Sequence, residues 1–109
     1  MPAASPAALK AMSRTIRRWA LHHRSDKSLQ DLAAMYNPYI RGWINYCGHF
    51  YWTQLCSTLT RIDAYVIRWA RKKFKRSRRT TKRAREWLVC VRRANPTLFV
   101  HWRLCYGNG

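Results

Sequence analysis

Carboxylates are scarce in this chain. Only Asp26, Asp31, Asp63 and Glu86 are acidic among 109 residues, and no two lie within one helical turn. Two-metal nucleases and polymerases gather several carboxylates around their cations. Paired-carboxylate acid–base chemistry needs two at one site. This spacing offers neither, so no catalytic residues are assigned. C-x-x-C pairs are missing too: Cys47, Cys56, Cys90 and Cys105 stand far apart, and His22, His23, His49 and His101 add no zinc-like spacing. No metal and no cofactor are therefore called for. Nothing points to secretion, so the four thiols are expected to be free and mostly buried, as small hydrophobes. No apolar run approaches about 18 residues, which excludes a spanning helix and any membrane partner of that kind. The first eight residues lack the charged-then-apolar order of a signal peptide. An intracellular, cytoplasmic protein is the expectation. Strand-like alternation and internal repeats are also lacking.

Positive charge is abundant. Lys and Arg number 22, for a formal net charge of +18, yet 48% of residues are hydrophobic and six are Trp. A disordered basic tail would not carry so many large apolar side chains. A folded, strongly basic domain with one modest core follows. The densest run is Arg71–Arg79, where seven of nine residues are basic. Such a run repels itself unless a polyanion meets it, and phosphate backbones are the commonest such partner.

Apolar spacing indicates helices throughout. Ser5 as cap and Pro6 as first helical residue open a helix reaching about His22, with Leu9, Met12, Ile16 and Trp19 on one face. Ser28 and Asp31 open a second helix, with Leu29, Leu32 and Ala33 apolar. Asn37-Pro38 should break or kink it and start a new helix to about Cys47, bearing Tyr39, Ile40, Trp43, Ile44 and Cys47. Gly48 would end that helix. Thr53 would cap a long helix reaching about Arg76. Its core line is Leu55, Leu59, Ile62, Val66 and Trp69, and a separate basic line holds Arg61, Arg68, Lys72, Lys75 and Arg79. Ser77–Thr81 reads as a hinge. Lys82–Ala94 reads as a last helix, with Ala84, Trp87, Leu88 and Val91 apolar and Asn95-Pro96 stopping it. Leu98, Phe99 and Trp102 lie in a tail able to pack back. The expected fold class is all-α, a small bundle of about four to five helices with one long central basic helix.

The segment Asn37-Pro38-Tyr39-Ile40-Arg41-Gly42-Trp43-Ile44-Asn45-Tyr46-Cys47-Gly48-His49-Phe50-Tyr51 resembles the signature of the group II intron maturase-specific domain. Ile62 to Lys75 is similar to that family's following helix, Pro96 to Trp102 to its usual end, and Ser5 to Lys10 to its lead-in. Cys47 stands where a second Tyr is usual, His49 where a basic residue is frequent, and Cys90 where Arg or another polar residue is common. These departures mildly reduce charge and aromatic surface. The resemblance implies an RNA-binding domain that grips group II intron RNA and promotes splicing by stabilising the active ribozyme fold. It implies no enzyme activity of the chain by itself. In a parent reverse transcriptase the domain would belong to the thumb, and a DNA target or a template-primer duplex would be a further partner. On this basis residues 1–27 are a lead-in helix and connection from the polymerase, 28–80 the maturase-specific core, and 81–109 a C-terminal helix with an aromatic tail. The setting expected is a bacterial cytoplasm; the oligomeric state is left open. The rival readings are a free-standing remnant with generic nucleic-acid affinity and a fragment of an active reverse transcriptase.

Within that reading, Arg68, Lys72, Lys75, Arg76 and Arg79 are the first candidates for RNA contact, since RNA helices present phosphates and 2′-hydroxyls and are read chiefly by shape. Arg14, Arg17 and Arg18 form a second patch. Arg41 either meets phosphate or pairs within the fold. Tyr46 and Tyr51 are candidates for stacking on unpaired bases, whereas Trp43 and Trp69 are expected in the core. Gly42 would permit close approach of a helix or of RNA, and Asn45 would bond within the fold.

Overall fold

Leu55, Leu59, Ile62, Val66 and Trp69 recur every three or four residues, and each is at most 1% exposed. They line helix α3, Trp52–Lys73, around which the other elements assemble. The computed structural model describes residues 6–47, 52–75 and 80–106. In chain order these form α1 (Pro6–Trp19), a single 3-10 turn (Leu21–His23), α2 (Leu29–Cys47), α3, α4 (Thr81–Ala94) and α5 (Val100–Tyr106), with no strand among the described residues. Helix α3 packs against α1, the 3-10 turn, α2, α4 and α5. One continuous core takes Met12 and Ile16 from α1, Leu32 and Ile40 from α2, Ala84 and Leu88 from α4, and Phe99 and Trp102 from the C-terminal segment. The expected all-α bundle with a long central basic helix is what forms.

Local signals set several helix ends. Ser28 Oγ accepts the Asp31 N–H at 3.1 Å, while Asp31 Oδ2 accepts the Ser28 N–H at 3.2 Å. This reciprocal box satisfies donors that the first turn leaves open, and the Ser28 backbone N–H, followed by the Ser28 side chain, holds the Asp31 carboxyl below its ordinary pKa. Thr80 caps α4 by accepting the Arg83 N–H, and Asn95 closes it. At the end of α1, Ala20 adopts a left-handed conformation (φ 48°). The helix therefore stops three residues short of His22, and Leu21 turns into the core at 0% exposure. Thr53 lies inside α3, which starts at Trp52, so it is not the cap expected of it. The expected features at Ser5, Gly48 and Ser77 to Arg79 lie outside the described residues.

Helix α2 runs unbroken through Pro38, contrary to the expected break. A proline inside a helix costs about 3 kcal/mol. Leu32, Ala33, Tyr36 and Ile40 are all buried on both sides of it, and each large side chain gains about 1.5–3 kcal/mol from burial. Burial wins, with the proline ring on the exposed side. Asn37 does cap a helix, but one distant in sequence. Its Oδ1 accepts the Val100 N–H at 3.0 Å, and its Nδ2 donates to the Leu98 carbonyl at 2.8 Å. The expected tail is thus a helix, α5, fastened to α2 at its start.

Helix α5 is also fastened to α3. Asp63 is 5% exposed. Its Oδ1 accepts Trp102 Nε1–H at 2.7 Å and His101 Nε2–H at 3.1 Å, and its Oδ2 accepts the Tyr106 hydroxyl at 2.9 Å. Burial, followed by the adjoining carboxylate, pushes the Tyr106 phenol above its ordinary pKa. A disulfide joins Cys56 to Cys105, with Cα atoms 5.7 Å apart. The four expected free, buried thiols are thereby corrected: two are bonded, and Cys90 is free but exposed. Forty-nine residues separate the bonded pair, so only the packing of α5 on α3 brings them together.

Three other expectations change. Trp43 is only half-buried. Gly42 is exposed with nothing within 4 Å of an added Cβ, so among the described residues no other helix approaches it. Asn45 is likewise exposed. In urea denaturation, Trp69→Ala should lower stability by about 3–5 kcal/mol, and Trp43→Ala by distinctly less. Asp63→Ala should cost about 3–5 kcal/mol by stranding the buried His101 and Trp102 donors and the part-buried Tyr106 hydroxyl, with Asp63→Asn costing less because its amide oxygen still accepts. A loss in Asp63→Ala no larger than that of an exposed-residue control would show that the carboxylate is not what holds α5.

Candidate nucleic-acid interface

At about 100° per residue, Arg61, Tyr65, Arg68, Lys72 and Lys75 follow one line along α3 and just beyond it. That line lies well away from the core line, so the same helix that organises the interior presents cations to water. The structure gathers them in two open clefts. Arg68, Arg71, Lys72 and Lys75 line one of about 350 Å³. Lys10, Ser13, Arg14 and Arg17 of α1 meet Arg61 and Tyr65 of α3 in another of about 260 Å³. Tyr65 joins the two, since the Arg68 guanidinium sits 5.7 Å above its ring. No carboxylate lines either cleft. The result is one basic track along the α1–α3 side, built mainly of arginine, whose planar fork suits phosphate oxygens.

Neighbouring groups hold this track in place. Trp69 Nε1–H donates to the Arg24 carbonyl at 2.8 Å, tying the 3-10 turn to α3. Lys73 donates to the Lys27 carbonyl at 2.6 Å and lies 5.2 Å from the Trp69 ring centre, which commits it to the fold. Lys72 Nζ is 3.0 Å from His23 Nδ1. His22 stacks on Tyr65 at 5.2 Å and touches His23 at 4.0 Å. Burial, then the charges of Arg68, His23 and Lys72, hold the His22 imidazole below its ordinary pKa. Its Nδ1 is buried without a partner.

Of the sequence candidates, Arg68, Lys72 and Lys75 come together, and Arg14 and Arg17 join the same track. Arg18 is exposed but lines neither cleft. Arg41 sits apart, in a depression with Thr97, Val100, Arg103 and Leu104. Tyr46 is 54% exposed. Arg76, Arg79 and Tyr51 lie outside the described residues. Lys10, Arg61, Tyr65 and Arg71 were not singled out from sequence as contacts. Tyr65 fills the gap of seven between Arg61 and Arg68 at the right helical phase, which is the signal that could have found it. Lys10 had none, since its place depends on how α1 crosses α3. Among the described residues, no group of three His, Cys, Asp or Glu is placed to hold a metal, and no helix is long and apolar enough to cross a membrane.

Fold and surface together define a helical, strongly basic domain with a cationic track on its central helix. Residues 9–87 match the model of the family described as Group II intron, maturase-specific domain. The match spans well over half of the chain, and the chain belongs to that family. Its role accordingly falls within group II intron splicing, as a non-catalytic maturase-specific domain. The match takes in the track from Lys10 to Lys75; α5 and its Asp63 partners lie beyond it. No curated protein and no solved structure matches the chain.

Because folding favours neutral His22, its contribution to stability is complete above about pH 6.5, the unfolded value. That contribution is lost as pH falls through the lower folded-state value. The thermal midpoint should therefore drop on acidification below about pH 6.5 by more in the native chain than in His22→Phe. Superimposable pH profiles for the two proteins would contradict the assignment.

Proposed function

We propose that this domain binds group II intron RNA along the α1–α3 track and so stabilises the spliceable ribozyme fold. The observation carrying this reading is the convergence of Lys10, Arg14 and Arg17 with Arg61, Arg68, Arg71, Lys72 and Lys75, without a carboxylate in the lining. Such a surface favours a phosphate backbone, because each neutralised phosphate releases condensed counterions. The ribozyme supplies the chemistry and the protein supplies binding energy to one RNA fold. In a parent reverse transcriptase the same track would lie in the thumb, against template-primer duplex. Arg76 and Arg79, which follow in sequence, are proposed as further contacts. The cytoplasm of a bacterial cell is the setting that suits this work.

Added to a cognate group II intron precursor, the chain should raise the spliced fraction at limiting magnesium. No change in splicing would refute the maturase role. For about six neutralised phosphates, log K for RNA should fall with log salt at a slope near −4 to −5. Arg68→Ala and Lys72→Ala should each reduce that slope by about one, while Arg103→Ala, in the separate depression, leaves it unchanged. An affinity insensitive to salt would overturn the track as the binding surface.

A further inference from the structure

Three aromatic rings form a column between α1 and α2. Tyr36 stacks on Trp19 with centroids 4.2 Å apart and planes 17° apart. Trp19 stacks in turn on Trp43, at 5.6 Å and 12°. Tyr39 leans on both indoles, 5.6 Å from Trp19 and 6.5 Å from Trp43. One end of this column is fixed in the core, where Tyr36 is 5% exposed. The other end reaches the surface: Trp19 and Trp43 are half-buried and Tyr39 is 54% exposed. Among the described residues no further ring stacks beyond Trp43. Tyr46, one turn on along the same line of α2, is also 54% exposed.

We propose that this column is a stacking site for an unpaired nucleobase, distinct in chemistry from the basic track. The proposal rests on the RNA-binding reading given above and adds a second, single-strand-specific contact to it. Parallel indole planes offer a flat face that suits any base, since every base has a π-face. Because the rings are already held by their neighbours, little side-chain freedom remains to be lost on binding. Charge favours a nucleic acid over an apolar protein helix as the occupant. Arg17 and Trp19 are separated by about 200° around α1, so one helix presents its cation to the cleft with α3 and its indole to α2. The two surfaces lie about 10 Å apart, one helix diameter. A strand whose phosphates follow the track can turn an unpaired base over the end of α1 onto Trp43. The geometry thus selects a junction of paired and unpaired RNA.

The test compares two RNAs: a blunt duplex, and the same duplex with a short unpaired overhang carrying 2-aminopurine. The native chain should bind the overhang RNA roughly five- to a hundredfold more tightly and quench the 2-aminopurine. Tyr39→Ala, at an exposed position, and Trp43→Leu should each lose most of that preference and the quenching while binding the blunt duplex as the native chain does. Trp43→Phe should restore both. Unchanged preference and quenching in Tyr39→Ala and Trp43→Leu would overturn the stacking site and leave the track intact. Equal binding of both RNAs by the native chain would overturn it likewise. Failure of the native chain to bind either RNA would refute the underlying RNA reading instead. If Trp43→Leu does not fold, Tyr39→Ala and Trp43→Phe decide the matter.

Discussion

Helix α3 must satisfy two solvents at once. Along one side, Leu55, Leu59, Ile62, Val66 and Trp69 are withdrawn from water. Along another, Arg61, Arg68 and Lys72 stay in it. The bundle exists because the other helices cover the first side, and the cationic track exists because they do not cover the second. Like charges lined up on one helix repel each other. Packing that fixes α3 in place holds those charges in register despite the repulsion. The interior and the candidate interface are therefore two consequences of a single helix's periodicity.

Around this helix the remaining elements are tied by a few polar contacts placed where burial alone would leave freedom. Trp69 Nε1 holds the 3-10 turn through the Arg24 carbonyl. Asn37 holds the start of α5, and Asp63 holds the rest through three donors. A buried carboxylate is costly unless its oxygens are satisfied. Here the satisfaction itself dictates where His101, Trp102 and Tyr106 must lie. A seven-residue helix has little stability of its own, so α5 forms because of these partners and the Cys56–Cys105 link.

The all-α class, α3, the Ser28–Asp31 box and the core lines were legible in the sequence, because each depends on residues three or four apart. The basic line of α3 was legible for the same reason. Less of the site could be read where two elements meet. Lys10 and Arg61 face one cleft only because of the crossing of α1 over α3, and Arg41 fell away from the track to face α5. The expected break at Asn37-Pro38 reflects a local rule outweighed by burial on both sides of the proline.

Charge, amphipathic period and family signature, then, are properties the chain carries in its order of residues, since they need no contact beyond one helical turn. Partner choice over long separations belongs to the folded state. Asn37 with Val100, Asp63 with Trp102, and Cys56 with Cys105 are joined across 39 to 63 residues. Nothing in the spacing of those residues names the partner. Close packing around α3 does so, by leaving Asn37 and Asp63 only one place to find their hydrogen bonds.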